Sequence, residues 1–262
     1  MLGRVACRWC FVILALFLHA SAGAEIADIN SAINKAGRQR MLSQRMAKCF
    51  FQIGLGVDSD RSRRVLDSSV TLFERQLGEL KSFAPSPEIR DTYQKLDKAW
   101  VAYRQALIAA VPKQAEGARI LQLSDEVLRL AHQGTQQLES RSGTTSGRLV
   151  NIAGRQRMLS QRMAKFYQAA AWGVGGEQTG AEIDKARSEF VSALDELNAA
   201  PTNNAALREE LDLVKQQWMF FANALSQPAG ADKRPPTTVA TTSERILETM
   251  ENVVAMYEKL AR

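Results

Sequence analysis

The sequence predicts an all-α protein made of two tandem up-and-down four-helix bundles that form a pseudo-two-fold pair. Three observations support this prediction. The stretch AGRQRMLSQRMAK occurs identically at 36–48 and at 153–165. Apolar residues recur at intervals of three and four, as they do on one face of an α-helix. Breaks containing Gly, Pro or Ser separate eight such segments, and few stretches alternate in the way a β-strand does.

The first unit is predicted to contain four helices, near 28–56, 60–83, 87–112 and 118–141. The breaks between them are GVDSD, APSP and VPKQAEG. Asp58 or Ser59 and the pair Ser86-Pro87 have the residue types that begin helices. The second helix shows the apolar spacing most clearly, through Val65, Leu66, Val70, Phe73, Leu77 and Leu80.

The second unit repeats this pattern, with helices predicted near 147–173, 179–199, 204–226 and 240–260. LDKAWVAYRQAL resembles VKQQWMFFANAL, and SDEVLRLAHQGTQQLE resembles SERILETMENVVAMYE. Ser243 is interpreted as the start of the last helix, and DKRPPTTVATT before it as a flexible loop. The chain is therefore interpreted as two copies of a unit of roughly 115 residues, with domains at 25–141 and 147–262.

The short connection between the two units predicts how the two bundles are arranged relative to each other. An up-and-down four-helix bundle begins and ends at the same end. The short stretch SGTTSG can then join two bundles side by side with their first helices parallel. This arrangement resembles a two-fold homodimer fused into one polypeptide. A swapped homodimer, which pairs the first helix of one chain with the second copy in another, would give the same pattern.

The first 24 residues are predicted to be a secretory signal peptide. Arg4 and Arg8 supply the positive charge, 9–18 the apolar region, and Ala22-Gly23-Ala24 an A-x-A site with cleavage after Ala24. The apolar run is too short to span a bilayer. We therefore expect an exported, periplasmic protein, and an uncleaved N-terminal anchor is the alternative.

Composition argues against several function classes. Cleavage would lower the net charge from +6 to +4, which is 32 basic against 28 acidic residues, too weak a balance to indicate nucleic-acid binding. Cys49 would be the one cysteine left, so neither a disulfide nor a cysteine metal cluster is expected. We recognise no catalytic residues and expect no enzymatic activity, metal or cofactor. His132 is interpreted as a surface or packed residue.

The repeated stretch carries the strongest functional signal. On a helical wheel Leu42 belongs to a core stripe, whereas Gly37, Arg40 and Gln44 share the opposite face. Glycine inside a helix costs up to ~1 kcal/mol relative to alanine. Gly37 and its copy Gly154 therefore indicate the close approach of another backbone or of a ligand. A packing role for the small residues of this face is the alternative.

If the two first helices pack across the pseudo-two-fold axis, Arg40 meets Arg157 beside the two glycines. Two guanidinium groups that converge need an anion between them, and their planar fork suits a planar oxyanion. The predicted ligand-binding residues are therefore Gly37, Arg40, Gly154 and Arg157. The secondary candidates are Gln44, Gln161, Arg38 and Arg155.

A structural role is predicted for the other arginines of the repeat. These are Arg38, Arg45, Arg155 and Arg162. The acids expected to pair with them are Asp125, Glu126, Glu244 and Glu248.

INKAGRQRMLSQRMAK and VNIAGRQRMLSQRMAK resemble the signature of the PilJ-type N-terminal domain of type IV pilus methyl-accepting chemotaxis transducers. They are also similar to the P-box of nitrate/nitrite sensor histidine kinases, with its N-x-A-G-x-x-R-M core. The resemblance implies a periplasmic four-helix sensor bundle. In the nitrate sensors, the glycine and arginine of the core hold one nitrate between the first helices of two subunits.

The core glycine and arginine of the P-box correspond to Gly37 and Arg40, and again to Gly154 and Arg157. After the core glycine the nitrate sensors have a small polar residue. This chain has an arginine there in both copies, which weakens the implication of nitrate specificity.

The leading hypothesis is a sensory or ligand-binding protein that clamps a small oxyanion, nitrate or nitrite. It would report to or supply a membrane-bound sensor, a transporter or a pilus-associated protein. The alternative is a helical adaptor of a pilus, chemotaxis or envelope complex that binds no small molecule. Burial distinguishes the two hypotheses, because a ligand site needs Arg40 and Arg157 turned toward each other inside the molecule. A docking face would leave the repeats exposed.

Overall fold

A computed structural model describes residues 26–108, 111–229 and 232–260. The predicted signal peptide at 1–24 lies outside this part of the chain. Within it, the secondary structure is eight α-helices and one short 3₁₀ helix, and there is no strand, which confirms the all-α prediction. The helices are α1 (Ile29–Leu55), α2 (Ser59–Phe83), α3 (Pro87–Leu107), α4 (Gly117–Ser142), α5 (Thr145–Ala171), α6 (Gln178–Ala199), α7 (Ala205–Leu225) and α8 (Arg234–Leu260).

Helix caps explain several of these boundaries. The side chain of Asp28 accepts a hydrogen bond from the Ser31 backbone N–H at 2.7 Å and begins α1. Ser86 caps α3 through its side chain, with Pro87 in the first turn, as predicted. Gly56 ends α1 in the left-handed conformation with φ 68°.

Two predicted boundaries are wrong, and a proline lies near each of them. The third helix was predicted to reach 112, but it ends at Leu107. Pro112 disfavours a helical conformation in the residue before it. The last helix begins at Arg234 instead of near 240, so most of the expected loop is helical and Ser243 lies inside the helix. Pro235 and Pro236 fit its first turn, where backbone N–H groups have no helical partner.

The eight helices form two four-helix bundles. In the first, α1 packs against α2 and α4, and α3 packs against α4 and α2; α5 to α8 repeat these contacts. Each bundle contains a stacked aromatic pair at equivalent positions: Phe73 with Trp100, at 4.2 Å between ring centroids, and Phe190 with Trp218, at 4.5 Å. Repetition of these pairs supports the duplication inferred from the sequence.

Helices α1 and α5 join the two bundles and share the most extensive helix–helix contact in the described chain. Gly37 lies beside Gly154, and Gly54 lies beside Trp172. The two helices therefore run parallel, in equivalent registers. Contacts of α4 with α5 and of α8 with α1 complete the pseudo-two-fold arrangement.

Because other helices surround α1 and α5, most of their polar side chains are buried. The side chain of Gln39 donates to the Phe73 carbonyl at 3.3 Å, and that of Gln156 donates to the Phe190 carbonyl at 2.8 Å. Among the described helices, none combines the length and apolar character needed to cross a bilayer.

The contact of Gly54 with Trp172 provides a stability test. A Cβ atom on Gly54 would lie closer than 3.0 Å to three atoms of the Trp172 ring, which packs edge-on against Phe50 and Phe51. We expect Gly54→Ala to lower the free energy of unfolding by about 1–3 kcal/mol, because the ring must move out of a packed cluster.

The matched control is Gly78→Ala in α2, where a Cβ atom would meet nothing within 4 Å. The free energy of unfolding of this variant should rise by about 0.5–1 kcal/mol, because alanine has a higher helix propensity than glycine. Urea denaturation followed by circular dichroism measures both changes. Equal stability of the two variants would contradict the packing described at Gly54.

Candidate functional site

The four predicted ligand-binding residues come together where α1 packs against α5. A Cβ atom on Gly37 would lie 3.8 Å from the Cα of Gly154, and one on Gly154 would lie 3.9 Å from the Cα of Gly37. The Cβ position at Gly37 is also 3.2 Å from Nη2 of Arg40 and 3.5 Å from Nη2 of Arg157. The two glycines thus let the helices approach closely while two guanidinium groups converge beside them.

Both arginines are fully buried and each bonds to the opposite helix. Nη2 of Arg40 donates to the side-chain oxygen of Asn151 at 2.7 Å and to its carbonyl at 3.3 Å. Nη2 of Arg157 donates to the same two atoms of Asn34, at 2.9 and 3.3 Å. Helical side chains lean toward the helix N-terminus, so each arginine reaches an asparagine before the opposite glycine. These bonds form a reciprocal pair across the pseudo-two-fold axis.

The remaining partners of the two arginines break this symmetry. Nη1 of Arg157 donates to the Glu251 carboxylate at 2.7 Å, and Arg38 donates to the same carboxylate at 2.6 and 3.2 Å. Nη1 of Arg40 instead faces Nδ1 of His132 at 3.3 Å. A carboxylate therefore balances one buried arginine, whereas the other faces an imidazole.

Burial and the charges nearby keep this imidazole neutral. Burial, followed by the charges of Arg40 and Arg155, lowers the pKa of His132 to about 4. Since arginine can only donate, Nδ1 is the acceptor and the ring proton lies on Nε2. Burial and then the charges of Arg155 and Arg157 lower the pKa of Arg40 to about 9, so Arg40 stays protonated at neutral pH.

Each buried arginine also keeps an unused donor. Nε of Arg40 and Nε of Arg157 are buried, and neither has a hydrogen-bond partner in the described part of the chain. Most buried polar groups are paired, so a site with two unused guanidinium donors has capacity for a further acceptor.

Protein partners already hold the secondary candidates. The side chain of Gln44 donates to the Ser124 carbonyl at 3.2 Å, and that of Gln161 donates to the Ser243 carbonyl at 3.0 Å. Each glutamine thus joins the first and last helices of its own bundle. Arg38 pairs with Glu251 as described above, and Arg155 pairs with Glu189 at 2.7 Å.

The structural pairing predicted for the other arginines is confirmed in part. Arg45 pairs with Glu244, and Arg162 pairs with Asp125 at 2.7 Å. Glu126 pairs instead with Arg129 of its own helix. The buried side chains of Lys48 and Lys165 bind the Glu244 and Asp125 carboxylates, respectively. Apart from the pair within α4, these ion pairs connect one bundle to the other, because each joins α1 to α8 or α5 to α4.

Sequence reasoning missed the residues that complete the site. Asn34 and Asn151 were visible as repeat matches but were not singled out. His132 was interpreted as an ordinary surface or packed residue. The alignment of the two repeats contained the signal for His132. It aligns SDEVLRLAH with SERILETME, so that His132 lies opposite Glu251.

The repeated stretch is buried between the bundles, with Arg40 and Arg157 fully enclosed. This face is therefore not available to dock another protein. This burial does not fit the adaptor hypothesis in the form that docks a partner through the repeats, and it agrees with both a ligand site and a packing role.

Comparison with known proteins agrees with the duplicated helical architecture. The model of the PilJ family, the N-terminal region of type IV pili methyl-accepting chemotaxis transducers, matches residues 27–126 and again residues 139–243. The chain is 32% identical over 138 residues to methyl-accepting chemotaxis protein McpN of Pseudomonas aeruginosa. That alignment covers 49% of this chain and 24% of McpN, so the chain spans about a quarter of that relative. No solved structure matches the chain significantly.

The asymmetric ion pairs predict an acid-sensitive contribution from Glu251. Burial alone would raise its pKa, but the charges and hydrogen bonds of Arg157 and Arg38 more than offset this and lower it to about 2. We expect Glu251→Gln to lower the free energy of unfolding by about 2–3 kcal/mol at pH 7, because Arg157 is left buried without a carboxylate. Because the pKa of Glu251 is lower in the folded protein than its ordinary value of 4.5, its ionised carboxylate stabilises the fold above pH 4.5. The stability difference between the wild-type protein and Glu251→Gln should therefore fade as the pH falls from 4.5 to 2.

Urea denaturation of both proteins at several pH values measures this effect. Glu248→Gln, at an exposed position of the same helix, is the control and should change stability by less than about 0.5 kcal/mol. A Glu251→Gln effect that persists unchanged down to pH 2 would contradict this assignment.

Proposed function

The chain belongs to the PilJ family of type IV pili methyl-accepting chemotaxis transducer N-terminal domains, and we propose that it binds a small oxyanion, nitrate or nitrite. Membership makes it a helical domain of sensory signal transduction. The proposed ligand lies between α1 and α5, where Arg40 and Arg157 supply the donors and Gly37 and Gly154 supply the space. Arg38, Arg155, Gln44 and Gln161 support the site from its surroundings.

One observation carries this proposal: two fully buried guanidinium groups converge on a pair of glycines, and each keeps an unpaired Nε donor. Burying a cation without a counter-charge is unfavourable. Arg40 has only neutral acceptors within hydrogen-bond distance among the described residues. A bound monoanion would balance that charge.

The shape of the donors favours a planar ligand. Nitrate offers three coplanar oxygen atoms, which match the planar guanidinium fork. In the structure, the side-chain oxygens of Asn34 and Asn151 accept from the two Nη2 atoms. Nitrate oxygens would take the place of these amide oxygens. The site therefore favours a small, planar, singly charged anion over sulfate.

Ligand binding and helix packing would be coupled at this site. The hydrogen bonds of Arg40 to Asn151 and of Arg157 to Asn34 tie α1 to α5. An anion that takes these donors releases the two asparagines and alters the contact between the bundles. A change of this kind is something that a partner can recognise.

We propose that the partner is a membrane-bound sensor, a transporter or a pilus-associated protein. In this proposal residues 1–24 are a signal peptide cleaved after Ala24, and the protein acts in the periplasm as two domains, 25–141 and 147–262. The proposal includes no catalytic residue, metal or cofactor.

Calorimetric titration with nitrate, nitrite, chlorate and sulfate tests the anion site. We expect saturable binding of nitrate or nitrite at one site per chain. Arg40→Gln should weaken it by roughly tenfold or more, because a charged donor is lost. Arg63→Gln is the control, because Arg63 is exposed on α2. The absence of heat with every anion, from protein that circular dichroism shows to be helical, would rule out the proposed ligand.

A second variant tests the location without removing a charge. A Cβ atom on Gly154 would lie 3.3 Å from Nη2 of Arg157 and 3.6 Å from Nη2 of Arg40. We expect Gly154→Ala to occupy the space that the anion needs and to weaken binding while the helices remain intact. Unchanged affinity in this variant would place the anion elsewhere.

A further inference from the structure

A cavity of about 260 Å³ lies among α4, α5 and α6, beside the buried arginines but distinct from the contact of the glycines. Its polar lining includes His132 and Arg155, and its apolar lining includes Leu128, Met158 and Leu159. The volume is below the roughly 300–1,000 Å³ of typical pockets for drug-sized ligands. A ligand of this cavity must therefore be small.

The second half of the chain shows which chemistry the surrounding arginines accept. There the Glu251 carboxylate accepts hydrogen bonds from Arg38 of the other bundle and from Arg157 of its own. The repeat sets Arg155 at the position of Arg38, Arg40 at that of Arg157, and His132 at that of Glu251. The first half thus keeps both arginines and lacks the carboxylate.

The donors that would hold a carboxylate at this position are incompletely used. His132 accepts from Arg40 through Nδ1, so Nε2 carries the proton, and no hydrogen bond within the described residues uses Nε2. Nε of Arg155 is buried without a partner, while its Nη2 donates to Glu189 at 2.7 Å. By contrast, Arg38 uses both Nε and Nη2 to hold Glu251.

We propose that this cavity binds a small monocarboxylic acid. Its carboxylate accepts from Arg155, as the Glu251 carboxylate accepts from Arg38. It also accepts from Nε2 of His132, which takes the position of Glu251 and lies against Arg40. Its apolar body lies against Leu128, Met158 and Leu159. This proposal does not rest on the oxyanion site, although Arg40 and Arg155 lie near both positions.

The charges of the lining favour one carboxylate and disfavour a second. The cationic side chains are Arg129, Arg155, Arg162 and Lys185, and the carboxylates are Asp125, Glu182 and Glu189. Arg162 pairs with Asp125 and Glu182, and Arg129 pairs with Glu126. Arg40 adds a buried positive charge behind His132. Three carboxylates already present would repel the second charge of a dicarboxylate.

Calorimetric titration with butyrate and with benzoate tests the site, and butyramide serves as the neutral isostere of butyrate. We expect saturable binding of at least one acid and none of the amide. His132→Glu supplies the carboxylate that the second half carries, so it should weaken acid binding by roughly tenfold or more. Arg155→Gln should weaken it similarly, because it removes the charged donor.

Arg38→Gln is the matched control, because it removes the equivalent arginine from the half that already contains Glu251. Acid affinity should stay unchanged in this variant. Circular dichroism verifies that each variant is folded. Failure of the wild-type protein to bind either acid would overturn the proposal. Unchanged affinity for the acids in folded His132→Glu would also overturn it. Equal losses of acid affinity in Arg38→Gln and Arg155→Gln would do the same.

Competition with nitrate separates this site from the proposed oxyanion site. Butyrate or benzoate should still bind to protein saturated with nitrate, with an affinity lowered only by the repulsion between the two anions. Displacement of one ligand by the other would place the acid between Gly37 and Gly154 and overturn the proposal. If nitrate binds nowhere, the titrations with acids still test the cavity by themselves.

Discussion

The close approach of α1 to α5 at Gly37 and Gly154 is the constraint on which the rest of the structure depends. Because two first helices meet there, each is enclosed by neighbours, and its polar side chains must find partners inside the protein. Arg40 and Arg157 find them across the helix pair, while Lys48 binds an acid from the opposite bundle. The identical 13 residues of the two repeats are therefore the residues that a symmetric, buried contact requires.

Duplication within one chain allows the two halves of such a contact to differ, which identical subunits of a symmetric homodimer cannot do. Glu251 bonds directly to Arg157, whereas Arg40 faces His132 and has no directly bonded carboxylate among the described residues. Burial and neighbouring cations hold His132 neutral, so the imidazole does not add a second charge. One half thus resembles a site that its own carboxylate has filled, and the other is the half for which we propose an anion from solution.

Much of this architecture could be predicted from sequence, because helical periodicity and an exact repeat are local signals. The proximity of Arg40 to Arg157 could be predicted from one helical wheel and the assumption of a pseudo-two-fold axis. The start of α8 was missed because Pro235 and Pro236 indicate a break when read alone, although both fit a first helical turn. The partners on α4 and α8 were missed because their register depends on packing between helices distant in sequence.

The central claim is that the buried arginine pair is an anion site whose occupation changes the contact of α1 with α5. A crystal structure of the protein grown in saturating nitrate tests this claim most directly. The account predicts planar density between the Arg40 and Arg157 guanidinium groups, with the side chains of Asn34 and Asn151 released from the Nη2 atoms. Density elsewhere, with both arginines still donating to the two asparagines, would contradict it.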